Sequence, residues 1–270
     1  MTLRYGAVLQ AVASLRGPVA DEIAPTHRDV AYRAQALRGI PPNADVYVPA
    51  HPTGASAILV HGGAFVIGSR RMKPTRLLAS RLCAAGIAVC TIDYRLIFRG
   101  GRLTESVADV RAAVAFWHAH APTLGLDPDA VTLVGSSAGA TLAYLAASAE
   151  AGRIARVACC FGLYELDHLR GPLATLLPRL LFRTGDRATW HAHSPAGVAQ
   201  PAAPTLLLHG DDDGLVPVDQ ARKLAARREA LGLPTRLVIY PGAPHGFFNQ
   251  PGPAADAGIQ ELIAHAGAVA

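Results

Sequence analysis

The stretch VTLVGSSAGATLAYLA, residues 131–146, runs from an apolar segment through two serines set between glycines into an alanine-rich segment. AVTLVG (130–135) reads as a strand and 139–149 as a helix, with Gly135-Ser136-Ser137-Ala138-Gly139 as a G-x-S-x-G turn between them. A serine on so sharp a strand-to-helix turn sits on strained backbone, which only small neighbours allow. The turn lifts the central hydroxyl above the sheet, at the positive end of the helix that follows. Ser137 is therefore the candidate nucleophile, and Ser136 a polar neighbour packed in the elbow. The pentapeptide alone recurs by chance; the strand before it and the small residues after it give it weight.

Outward from this turn, apolar strands alternate with helices. DVYVP (45–49), AILVHGG (57–63), IAVCTIDY (87–94), RVACCFG (156–162), PTLLLHG (204–210) and TRLVIYPG (235–242) read as strands. Helical spacing covers 73–85, 104–119, 219–232 and the final 256–270. This alternation predicts the α/β class: a mostly parallel central sheet with helices on both faces. Residues 1–40 carry mixed helical patterns, and the regular core is expected to begin at the turn GIPPN (39–43). There is neither an internal repeat nor a linker-like stretch, so one domain is expected over 1–270, with a small insertion at 163–200. Its run LATLLPRLLF is apolar enough to cap an acyl pocket or to pack as a helix on the body.

A serine hydroxyl needs a base at neutral pH, and the base needs an orienting group. His245, in YPGAPHGFFN just past the strand LVIY, lies at the carboxyl edge where open α/β sheets bind ligands. The orienting acid is expected from another strand end, and LLLHGDDDGLVP offers Asp211, Asp212 and Asp213, each of which satisfies the chain order serine, acid, histidine. Hydration of a loop is the plain alternative, and a calcium loop would need a terminal glutamate that is missing here. Only one of the three can serve the histidine; the others should face solvent or cap the helix near 219.

Acyl transfer also needs donors aimed at the developing oxyanion. The backbone N–H of Ala138 is one, and LVHGGAFVIGS (59–69) offers Gly63 and Ala64, with Gly62 enabling the bend and His61 holding the loop. A phosphate loop fails on detail, because neither G-x-x-x-x-G-K-[ST] nor G-x-G-x-x-G occurs.

Composition narrows the classes further. With 51% hydrophobic and 17% charged residues the chain can bury a sizeable core, which argues against disorder. The net charge of +5 comes from scattered arginines without a dense basic run, so no nucleic-acid partner is expected. Arg95, Arg99 and Arg102 could meet an acidic substrate, although solvated arginines are the simpler reading. Four cysteines, at 83, 90, 159 and 160, form no C-x-x-C pair and no disulfide framework; buried reduced thiols and a cytoplasmic home are expected. No apolar stretch reaches 18 residues, so no membrane span is expected, and neither a metal nor an organic cofactor is needed. A homodimer through an edge strand or terminal helix is compatible with the chain, which does not demand one.

DVYVP (45–49), HGGAFVIGS (61–69), DYRL (93–96), GLDPDAVTLVGSSAGA (125–140), HGDDDGLVP (209–217) and YPGAPHGF (240–247) together resemble the α/β-hydrolase fold. The resemblance is to its esterase and lipase branch, which includes hormone-sensitive-lipase-like carboxylesterases and the kynurenine formamidase and feruloyl esterase-like proteins. It implies that Asp213 is the acid, fifth in the HG-x-x-D-x-x-VP pattern, and that Asp93 and Tyr94 steady the HGG loop. HGGA, GSSAG and DYRLIFRG stand where lipase-like members usually carry HGGG, GDSAG and DYRLAPE, which weakens any inference about substrate. The expected activity is cleavage of carboxylic esters of small or medium acyl chains through an acyl-enzyme. Alternatives are a formamidase or amidase, an acyltransferase, cyclase or thioesterase on a biosynthetic intermediate, and a non-catalytic binding protein of the same fold.

Overall fold

Strands β1 (His27–Ala31), β2 (Asn43–Tyr47), β3 (Ser56–Val60), β4 (Ala88–Ile92), β5 (Val131–Ser136), β6 (Arg156–Cys160), β7 (Thr205–Gly210) and β8 (Thr235–Tyr240) form one sheet in the order β1-β2-β4-β3-β5-β6-β7-β8. The computed structural model describes residues 15–33, 42–150, 152–169 and 173–267, the side chains of 173–175 excepted. From β4 to β8 every pairing is parallel, whereas β1 and β2 run antiparallel at one edge. The mostly parallel sheet expected from the alternation is thus observed.

Period-two alternation within each strand feeds two apolar layers. Ile58 and Val60 of β3 face the same layer as Leu207 of β7, while Ala57, Leu59, Leu206 and Leu208 face the other. The first layer is covered by α2 (Leu103–His120), α3 (Ala138–Ala149) and α6 (Asp219–Ala230), the second by α1 (Lys73–Ala84) and α7 (Pro253–Gly267). Proline in the first turn of α1 suits a position whose N–H has no helical acceptor, and Gly86 at φ +84° turns the chain from its end into β4. Alanines in α3 let it lie close to the sheet, and Ala138 through Ala147 are all buried. The indole of the buried Trp117 donates to Ser56 Oγ at 2.8 Å, which locks α2 to the start of β3. No helix among the described residues is long and apolar enough to cross a membrane.

One expectation needs correction. Regular structure starts before 39–43, because β1 pairs with β2 from His27 onward. Its sequence HRDVA lies almost wholly exposed at the sheet edge, so no hydrophobic alternation advertises it. Charge holds it instead: Asp29 pairs with Arg70 and Arg71, and its N–H donates to the buried Asp45. The remainder of the helical pattern read over 1–40 falls mainly at 1–14 and 34–41, outside the described residues. The cap position of α6 is Val218, without a side-chain bond, so of the two places expected for the spare aspartates solvent is the one observed.

The insertion after β6 carries α4 (Leu173–Phe182) and α5 (Arg187–Ala192), the latter capped by Asp186, which accepts from the N–H groups of Ala188 and Thr189. Leu177 and Leu181 of α4 are buried in the same cluster as Tyr144 and Tyr164, while Leu176 is exposed. One face of the apolar run therefore packs on the body.

Arg228 of α6 is fully buried, and among the described residues it has no carboxylate partner. Its guanidinium donates to the carbonyls of Pro201, Ala203 and Pro234 and to the hydroxyls of Thr235 and Tyr144, at 2.9–3.2 Å. The loops that enter β7 and β8 are thereby tied to α6. Arg228→Leu would remove all five of these hydrogen bonds at once and is expected to lower the unfolding free energy by about 3 kcal/mol in urea titration, because a hydrogen bond from a charged donor contributes more than a neutral one and the loops lose their tie to α6.

Candidate active site

Ser137 sits at φ +53°, ψ −120°, between the end of β5 and the first turn of α3. That conformation is strained for any residue with a Cβ and requires neighbours that lack one. A Cβ on Gly139 would collide with the carbonyls of Val60 and His61, and one on Gly135 would collide with Gly139. The Ser137 N–H donates to Cys160 O at 2.8 Å, and its carbonyl accepts from Ala140 at 2.9 Å, so the elbow is pinned from β6 and from its own helix.

Parallel register then delivers the partners. Ser137 Oγ lies 3.0 Å from His245 Nε2, and His245 Nδ1 lies 2.7 Å from Asp213 Oδ2. Because a carboxylate only accepts, Nδ1 carries the proton and Nε2 is free to accept from the serine hydroxyl. Asp213 is almost fully buried, and all its neighbours donate: Leu215 N and Val216 N to Oδ1 at 2.9 and 2.7 Å, His245 and His209 to Oδ2, the latter at 3.2 Å. Burial alone would raise its pKa, but the charge of His245 and the bonds from His209, His245 and Val216 outweigh it and hold the carboxyl well below 3.8. Asp211 and Asp212 are exposed, and Asp211 accepts from Gly242 N at 2.6 Å. Of the three aspartates, only Asp213 reaches the histidine.

The register Val60↔Gly135 places the HGG loop beside the elbow. A Cβ on Gly62 would lie 3.0 Å from the Ser136 carbonyl and 3.3 Å from the Ser137 Cβ, so the first glycine of the HGG run lets the loop pass close to the elbow. Gly63, Ala64 and Phe65 all have positive φ, at +119°, +53° and +63°. The Gly63 carbonyl turns inward to accept from Val66 and Ile67, both at 3.0 Å. Across that trans peptide the Ala64 N–H points out of the turn. Ala138 is the first residue of α3, so its N–H has no acceptor within the helix.

Asp93 and Tyr94, at the end of β4, clamp both ends of this loop. The Tyr94 hydroxyl donates to His61 O at 3.0 Å and its ring stacks on His61 at 4.3 Å. At the far end Asp93 accepts from the Arg70 N–H at 2.7 Å and pairs with the Arg70 guanidinium. Burial lowers the pKa of His61 against the pull of the Gly62 carbonyl, and its Nδ1 donates to that carbonyl at 2.7 Å. The ring is thus a neutral strut.

Sequence reading passed over Arg70, a buried cation shared by Asp29, Asp45 and Asp93. It also passed over His209 as a donor to Asp213, and Phe161, whose ring packs on His245. Arg95 is spent on Asp109 and Arg102 on the carbonyls of Ile97 and Gly101, while Arg99 is exposed. Among the described residues no group of three or more histidines, cysteines or acids could hold a metal ion.

The model of the BD-FAE family matches residues 44–160. Over 93% of its length the chain superposes on 99% of a truncated carbohydrate esterase from gut microbiota, with a TM-score of 0.77 at 20% identity. The chain belongs to the α/β-hydrolase fold. Among curated relatives, the chain is 31% identical to the esterase LipC of Mycobacterium tuberculosis over 82% of its own length and 61% of that protein's. It is 29% identical to a probable isoprenylcysteine alpha-carbonyl methylesterase of Oryza sativa subsp. japonica, over 74% and 54% of the two chains. It therefore spans about half the length of the curated relatives it matches.

Two outcomes follow from this geometry. Asp213→Asn is expected to keep the fold at neutral pH while cutting kcat about 10⁴-fold, since an amide can hold the imidazole in the wrong tautomer. The ionised Asp213 stabilises the fold fully above 3.8, and that contribution is lost as pH falls through the lowered folded-state value, so the stability gap between wild type and variant should close in urea titrations below pH 3.8. Tyr94→Phe, which frees the His61 carbonyl, is expected to reduce kcat about tenfold with KM little changed, because a slackened donor loop is felt in the transition state.

Proposed function

We propose that this chain is a serine hydrolase that cleaves carboxylic esters of small or medium acyl chains. The observation that carries the reading is the unbroken run from Ser137 Oγ through His245 to Asp213, at 3.0 and 2.7 Å. Ser137 attacks the ester carbonyl while His245 Nε2 takes its proton, and Asp213 stabilises the resulting imidazolium. The N–H groups of Gly63, Ala64 and Ala138 receive the oxyanion. His245 then returns the proton to the leaving alcohol, and in the second half it takes a proton from water, which releases the acid and restores Ser137. Beyond the protein and its ester, this cycle consumes one water.

Similarity to a probable methylesterase and to an esterase supports ester rather than amide cleavage. Four free, buried cysteines suit a reducing compartment, and we place the enzyme in the cytoplasm on that ground.

The test is turnover of p-nitrophenyl esters from acetate to palmitate, alongside N-formyl aryl amines and thioesters, by wild type and Ser137→Ala. Wild type is expected to give an acyl-enzyme burst with the shorter esters, and the variant to lose at least about 10⁴-fold in kcat/KM. Turnover confined to formyl amines or thioesters would replace the ester reading; equal inactivity of both proteins on the whole panel would end it.

A further inference from the structure

Strand alternation breaks at the end of β6, beside the histidine. Along β6, Cys159 falls in one apolar layer and Cys160 in the other, so Phe161 should return to the layer of Cys159. It lies instead with Cys160, among Phe247, Phe248 and Tyr240. The flip comes from the backbone, for Phe161 has φ +42°, a conformation that bulky L residues avoid. Two hydrogen bonds hold the flipped segment: Cys160 O accepts from Ser137 N at 2.8 Å, and Phe161 N donates to Leu208 O of β7 at 2.7 Å. The residue that turns the ring is thus bonded on one side to the nucleophile's own backbone and on the other to the strand that leads to Asp213.

The ring so placed meets His245 at 5.1 Å with an interplanar angle of 70°, and it is backed by Phe247 at 5.4 Å and Phe248 at 5.7 Å. His245 is carried on the loop after β8, and its imidazole is bonded only in its own plane, at Nδ1 by Asp213 and at Nε2 by Ser137. With the Cβ tether these two bonds fix where the ring sits, but they leave it a tilt out of plane, since a hydrogen bond tolerates a modest loss of linearity. A steeply inclined aromatic wall removes that freedom.

We propose that Phe161 is a positioning residue for His245: the strained end of β6 turns its ring against the imidazole and fixes the tilt at which Nε2 faces Ser137. The inference rests on the serine-hydrolase reading of the site for its kinetic consequence, but not for its geometry. Because the ring acts through the histidine, its effect belongs in kcat and vanishes when the imidazole is gone.

The test is a double-mutant cycle with Phe161→Leu, which keeps an apolar side chain, in wild-type and His245→Ala backgrounds. Expected is a fall in kcat of about 10- to 100-fold with KM within about threefold, and no further fall in the His245→Ala background. Phe161→Tyr, which keeps the ring, should restore most of the activity. An unchanged kcat for Phe161→Leu, or an equal loss in both backgrounds, would overturn the proposal. The proton spectrum of folded Phe161→Leu gives a readout without turnover: the downfield Nδ1–H resonance of His245 should broaden or shift relative to wild type, and an unaltered resonance counts against Phe161 even if no ester is cleaved. Absence of ester turnover by wild type with the resonance altered would instead sink the esterase reading and leave the positioning role standing.

Discussion

The left-handed turn at Ser137 is the constraint on which the site depends. A serine at φ +53° is held there only because Gly135 and Gly139 lack a Cβ, and the same absence lets α3 press against the carbonyls at the end of β3. Close approach in turn sets the HGG loop against the elbow, where a side chain at Gly62 would crowd Ser136 and Ser137. One local backbone requirement thereby fixes the distance between two segments some seventy residues apart in sequence. The strain stored at Ser137 is offset by bonds from Cys160 and Ala140, which is the usual way such outliers persist at working sites.

Around this elbow several buried polar groups have partners that also serve a mechanical use. Four donors surround Asp213, so it stays ionised and cannot swing away from His245. Asp93 and Tyr94 grip the two ends of the donor loop, and Arg70 carries that grip to Asp45 and to the edge strand through Asp29. Buried ion pairs of this kind add little net stability, since desolvation consumes most of the Coulomb gain; what they supply is a single arrangement of the loop. Arg228 does the same at the opposite ends of β7 and β8, with carbonyls in place of carboxylates.

The three positive-φ residues 63–65 show how a departure from a family pattern is accommodated. A glycine at position 64 would adopt φ +53° without strain; alanine does so here because Phe65, fully buried, anchors the turn and accepts from Ile97 N at 2.8 Å. Packing of one aromatic thus substitutes for the missing flexibility.

Seven of the eight strands, the parallel arrangement and the segments that carry Ser137, His245 and the HGG loop were legible in the amino-acid order. Apolar runs, helical spacing and glycine-flanked turns are local signals, written within a dozen residues. Sequence spacing left Asp211, Asp212 and Asp213 equivalent, and only resemblance separated them; in the fold the choice falls to Asp213 because burial and four donors converge on that position alone. The edge strand β1 was illegible because charge pairs rather than apolar side chains hold it. Phe161 was equally hidden, since an apolar residue at a strand end carries no mark of a positive φ, and its contact with His245 joins positions distant in the chain. Sequence by itself determined where the chain turns and which side chains can do chemistry. Tertiary structure alone decided which of them meet, because register across the sheet and burial of charge are set by residues far apart in the chain.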